Sequence, residues 1–94
     1  MTHPAIEAGH VAVITGGASG IGLAAARKFL SLGLKVAIAD WNEEAIARAQ
    51  QALGPDVLVM RTDVSSRTYV EAFQEAVLAR FGAVHVLMNN AGIG

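Results

Sequence analysis

The 94-residue sequence contains no cysteine, which removes disulfides, thiolate nucleophiles and cysteine-ligated metal sites together. It has no run of basic residues and a net charge of −1, so neither a nucleic-acid backbone nor an anionic membrane surface finds a matching patch. The opening MTHPAIEAGH lacks the basic-then-apolar order of a secretory signal. The longest uncharged stretch, residues 11–26, is broken by Gly, Ser and Thr and is too short to span a bilayer. Its three histidines, His3, His10 and His85, are scattered and set up neither a metal site nor a triad. A cytoplasmic protein without metal is the expectation. Charged residues make up only 16%, against 53% hydrophobic. That balance excludes disorder and is more apolar than a self-contained domain of this length requires.

What is present is a regular alternation. Residues 1–9 read as a leader. HVAVIT (10–15), KVAIAD (35–40), DVLVMRTDV (56–64) and VHVLMN (84–89) are strand-like runs whose lack of polar alternation marks strands buried on both faces. Between them lie three helical segments. The first runs from Gly20 to Leu32, with Gly33 as its cap. Asn42 caps the second, with Glu43 and Glu44 in its first turn and Ala45, Ile46, Ala49, Ala52 and Leu53 on one face. Ser65 or Ser66 caps the third, whose stripe is Val70, Phe73, Val77 and Phe81. The order β-α-β-α-β-α-β with short connections predicts an α/β fold, a doubly wound parallel sheet with right-handed crossovers.

In such a sheet, ligands sit beyond the carboxyl ends of the strands. VITGGASGIG (13–22) places four glycines at the end of the first strand and the start of the first helix. Gly16 permits the sharp exit, Gly20 lets backbone approach a ligand, and Gly22 lets the helix pack closely on the sheet. Free N–H groups and the positive end of the helix dipole then point at the turn, an environment that suits a pyrophosphate. A glycine-rich turn without a ligand is the alternative. A P-loop is excluded because Leu23, not Lys, follows Gly22.

Asp40 tips the balance. It ends the second strand, where the acidic residue of a dinucleotide site belongs. Its carboxylate suits the hydroxyls of the adenosine ribose and repels the extra phosphate of NADP, so NAD is the expected cofactor. No Arg or Lys stands in the glycine loop or directly after Asp40 to compensate. Asp63 and Val64 end the third strand with a carboxylate for the adenine amino group and an apolar surface for its ring. Asn89, Asn90, Ala91 and Gly92 end the fourth, two amides followed by small residues that let backbone approach a ribose.

TGGASGIG (15–22), Asp40, DV (63–64) and NNAG (89–92) together resemble the N-terminal half of the short-chain dehydrogenase/reductase family, in its branch with TGxxxGxG rather than TGxxGxxG. The resemblance spans nearly everything after residue 9. It implies a Rossmann-type sheet ordered 3-2-1-4, with the first two helices on one face and the third on the other. It also implies that Gly16, Ser19, Gly20, Ile21 and Gly22 line the pyrophosphate and that Trp41 stands beside the adenine edge. Asn90, Ala91 and Gly92 would border the adenosine ribose and steady the fourth strand. His85 stands where relatives often carry Asp, far from the ligand edge, and is read as structural.

The family's catalytic helix Asn, Ser and Tyr-x-x-x-Lys pair have no counterpart here, and no residue of the chain is assigned as catalytic. Tyr69, the single tyrosine, reads as packing. The chain is therefore expected to be the cofactor-binding first part of one domain of a longer NAD-dependent oxidoreductase. Hydride transfer to or from a small alcohol or carbonyl substrate would be its reaction, and an apolar edge strand would favour a homo-oligomer. A non-catalytic dinucleotide-binding module, or a structural half-domain that needs a partner, is the competing reading.

Overall fold

The computed structural model describes residues 7–16, 18 and 20–90. Four strands, β1 (Val11–Thr15), β2 (Lys35–Asp40), β3 (Leu58–Arg61) and β4 (Val86–Asn89), form one sheet ordered β3-β2-β1-β4 with every pairing parallel. Helices α1 (Gly20–Ser31), α2 (Glu43–Leu53) and α3 (Arg67–Phe81) make the crossovers. The predicted class, order and helix number all hold among the described residues.

Side chains alternate across the central strands, and each set has its own helices. Ile14, Val36 and Ile38 pack with Ala26 of α1 and with Ala45 and Ala49 of α2. Val11, Val13, Ala37 and Ala39 pack on the opposite face against Phe73 and Val77 of α3. Full burial of a residue such as Ile14 or Ile38 contributes about 1.5–3 kcal/mol. The first two helices thus cover one face and the third the other. On the α3 face, beside the edge strand β4, Val13, Phe73, Val77, Leu78, Val84 and Leu87 line an apolar groove of about 370 Å³.

The caps follow from local chemistry. Asn42 accepts a hydrogen bond from the Ala45 amide at 2.9 Å and starts α2. Gly54 at φ +88° and Gly82 at φ +82° end α2 and α3. Ser66 occupies the N-cap position of α3 without a side-chain cap bond. Ser65 donates its hydroxyl to Asp63 instead, at 2.6 Å.

Several predicted boundaries are corrected. β3 stops at Arg61, not residue 64, because its partner β2 ends at Asp40. Asp63 and Val64 therefore stand in the turn beyond the strand. β1 starts at Val11 and α1 ends at Ser31, each one residue inside the expected span. Ala52 is exposed, whereas Leu53 packs against the core as expected. β4 starts at Val86, because His85 replaces a ladder rung. Its amide donates to the Val11 carbonyl at 2.9 Å, and its Nδ1 accepts from the Val11 amide at 2.9 Å. The imidazole also stacks on His10, with centroids 3.9 Å apart. His85 thus anchors the end of the sheet away from the glycine turn. Of the leader, only residues 7–9 lie within the described part.

Candidate functional site

Parallel strands deliver their carboxyl ends to one edge, and there Gly16, Ala39, Asp40, Trp41, Thr62, Asp63 and Val64 line a cleft of about 370 Å³. The cleft joins the exits of β1, β2 and β3. Gly16 leaves β1 at φ +67°, a left-handed turn that favours glycine. Its amide stays tied to the sheet through the Ala39 carbonyl at 2.7 Å. Gly20 opens α1 at φ +57°, and among the described residues a Cβ added there would meet no atom within 4 Å beyond its own helix and chain neighbours. The space in front of this backbone belongs to no described side chain, which is what a bound pyrophosphate would need. Ile21 is exposed in the first turn of α1, and Gly22 is buried against the sheet. That first turn carries no acidic side chain, so its positive dipole end is not offset. Ser19 lies outside the described residues, as do Ala91 and Gly92.

Asp40 is engaged on both oxygens. Oδ1 accepts from the amides of Trp41 at 2.7 Å and Asn42 at 3.1 Å. Oδ2 accepts from the Ala18 amide of the glycine turn at 3.2 Å. An ionised carboxylate has about four acceptor positions, so among the described residues about one stays open, on Oδ2. Asp40 therefore ties the glycine turn to the start of α2 and keeps a single lone pair for a further donor.

Asp63 occupies its turn in a different way. Its Oδ1 accepts from both the hydroxyl and the amide of Ser65, at 2.6 and 2.9 Å, and Oδ2 accepts from no described residue. These bonds, the hydroxyl first and the amide second, hold the carboxyl below its ordinary range, against a smaller opposing effect of desolvation. A depressed folded-state pKa contributes stability above the unfolded value and loses it as pH falls through the folded one. The turn before α3 is thus intact at neutral pH and loosens below about pH 4. An NMR titration should find the Asp63 carboxyl titrating below a free aspartate, and Ser65→Ala should move it back up. An unchanged midpoint in that variant would remove Ser65 as the cause.

The fourth strand end closes on the first. Asn90 donates its Nδ2 to the Gly16 carbonyl at 3.1 Å, and its amide donates to Thr15. Thr15 donates its hydroxyl to Asn89 Oδ1 at 2.7 Å. Asn90 therefore bonds inward to the glycine turn, whereas the Asn89 bond lies at the surface. Tyr69 meets Trp41 edge-on, with centroids 5.4 Å apart, a surface contact at the same rim. Two cleft features escaped the sequence reading. Thr62 is buried, and its amide donates to the Asp40 carbonyl at 2.7 Å. Arg61 is brought opposite Asp40 by the strand register. The extended run ending in Thr62-Asp63 hinted at the first, whereas no short-range signal pointed to the second. Among the described residues no His, Asp or Glu cluster could hold a metal, and no helix is long and apolar enough to cross a membrane.

A family model for short chain dehydrogenases matches residues 10–94. The chain is 44% identical to 3beta-hydroxysteroid dehydrogenase 2 of Eggerthella lenta over 97% of its own length and 36% of that protein's. Its fold is similar to a short chain dehydrogenase/reductase of Burkholderia phymatum in complex with NAD (TM-score 0.80, 44% identity, 90% of this chain, 31% of that one). It is also similar to a 3-ketoacyl-(acyl-carrier-protein) reductase of Brucella melitensis complexed with NADH (TM-score 0.81, 38% identity, 85% of this chain, 33% of that one). The chain spans about a third of the length of the relatives it matches. With the parallel 3-2-1-4 sheet, the glycine turn and the family match in agreement, this chain belongs to the short-chain dehydrogenase/reductase family of oxidoreductases.

Proposed function

We propose that this chain is the NAD-binding first part of a cytoplasmic short-chain oxidoreductase. The observation that carries the reading is the meeting of three strand exits in one cleft, with a carboxylate at its rim and open space before Gly20. Gly16, Ser19, Gly20, Ile21 and Gly22 would line the pyrophosphate; Gly16, whose amide is bonded to the Ala39 carbonyl, would shape the turn, and the others would offer backbone amides. Asp40 would accept one ribose hydroxyl on Oδ2, and its charge would repel the 2′-phosphate of NADP. Trp41, Asp63 and Val64 would surround the adenine, with Asp63 Oδ2 facing its amino group. Asn90 would hold β4 against the glycine turn, and Ala91 and Gly92 would border the ribose. Bound NAD would supply the hydride acceptor for an alcohol, or NADH the donor for a carbonyl. Further copies of the chain are proposed as partners, on the strength of the apolar groove beside β4.

General acid/base chemistry on an alcohol needs a group within hydrogen-bond reach of the reacting oxygen. The two cleft carboxylates, Asp40 and Asp63, are assigned to the adenosine end, and Tyr69 packs on Trp41 at that same end. The 94 residues alone should therefore bind NAD(H), as calorimetric titration would read, without transferring hydride. Turnover of an alcohol and ketone panel should match the protein-free control. NADH formation that disappears in Tyr69→Phe would overturn this assignment.

A further inference from the structure

Trp41 is the only tryptophan of the chain, and it forms part of the cleft wall while remaining 46% exposed. A half-exposed indole at a strand exit has little core packing to fix its side-chain torsions. Arg61 provides the missing restraint. The β2–β3 register sets Arg61 opposite Asp40, one residue before Trp41. The guanidinium carbon lies 3.7 Å from the indole centroid. Arg61 Nε donates to the Trp41 carbonyl at 3.3 Å, and its guanidinium meets the Glu43 carboxylate at 3.5 Å. The cation is thus fixed to the ring, to the backbone beneath it and to the first turn of α2. Tyr69 of α3 closes the ring's edge at an interplanar angle of 89°. Only a planar guanidinium can stack and donate from Nε together; a lysine ammonium cannot reproduce the pair.

We infer that Arg61 is a positioning residue, which acts through Trp41 to hold the cleft wall against which the adenine end of the dinucleotide lies. This role rests on the nucleotide reading given above. It makes a prediction distinct from that for Asp40. Adenine is common to NAD, NADP and ADP-ribose, so loss of Arg61 weakens all three by one factor, whereas loss of Asp40 alters the ratio of NAD to NADP.

Trp41 emission in the full 94-residue chain tests this, since no other tryptophan contributes. Arg61 is itself exposed, so its replacement opens no cavity. Without nucleotide, Arg61→Ala should make Trp41 more accessible to acrylamide quenching, and Arg61→Lys should recover little of the protection. Titrations with ADP-ribose, NAD and NADP should each weaken about two- to fivefold in Arg61→Ala, the factor that matches an exposed cation–π contact. Nicotinamide mononucleotide should show no such change. Unchanged quenching, or unchanged affinity beside a saturable wild-type titration, would overturn the role of Arg61 alone. A shifted NAD to NADP ratio would likewise overturn it, because Arg61 would then act as a charge toward phosphate. A wild-type chain that saturates with none of the nucleotides would overturn the nucleotide reading, and this role with it.

Discussion

Gly20→Asn is expected to lose saturable NAD binding while keeping its far-UV circular dichroism. Gly20 sits at φ +57°, and asparagine tolerates that left-handed region better than most residues. The backbone is therefore retained at a cost of order 1 kcal/mol. The Cβ of the new side chain meets no atom of the described residues within 4 Å beyond its own helix and chain neighbours. What it displaces is the pyrophosphate assigned to that space. Loss of two charge-assisted hydrogen bonds at about 1.5–3 kcal/mol each corresponds to a weakening of at least about a hundredfold. Calorimetric titration reads this directly, and wild-type affinity in the variant would reduce the glycines to a plain turn. Gly20→Val is a less clean test. A β-branched side chain at this φ is strained, so a loss of binding would be mixed with a distorted start of α1.

The second large effect is expected at Asp40. In Asp40→Ala, NAD should bind about ten- to a hundredfold more weakly, the equivalent of one charge-assisted bond. NADP should lose less or gain, because the charge that opposes its 2′-phosphate is gone. The variant also removes the acceptor for the Ala18, Trp41 and Asn42 amides. Part of the loss will therefore come from a loosened glycine turn. Asp40→Asn separates the contributions. Its one carbonyl oxygen can still serve the Trp41 and Asn42 amides, but its NH₂ group faces the Ala18 donor without accepting from it. Equal NAD to NADP ratios in wild type and Asp40→Ala would sink the selectivity role.

The elements were legible because buried parallel strands leave an unmistakable trace. VAVIT and KVAIAD carry no outward polar alternation, since both faces of β1 and β2 are covered. The cap at Asn42 could be read because it depends on one residue and its immediate neighbours. Strand ends were harder, since hydrogen bonding to a partner fixes them and local composition does not. Thr62 and Asp63 look like strand in sequence, yet β2 offers them no further ladder. The same difficulty recurs at the cleft. Asp40 was placed by its distance from the glycines, but its bond to Ala18 depends on how the turn folds back. Arg61 became relevant only through the register that sets it opposite Asp40, a relation between residues twenty-one positions apart. Its absence from the sequence reading made the surroundings of Asp40 look free of cations. The structure places a guanidinium beside Trp41 and pairs it with Glu43.

The bond from Asn90 to Gly16 joins residues 74 apart in the chain. The β1–β2 ladder joins residues roughly 24 apart, from Val11 to Lys35. By the logarithmic scaling of flexible loops, the longer closure costs about 1 kcal/mol more in chain entropy. That difference belongs to the whole β1–β4 pairing, whose end at the cleft is the glycine turn, braced by β4 on one side and by Asp40 on the other. Asp40 can latch the turn within a short closure, but the brace from β4 requires most of the chain to be in place. The pairing that closes the sheet's longest loop thus ends on the backbone that faces the cleft.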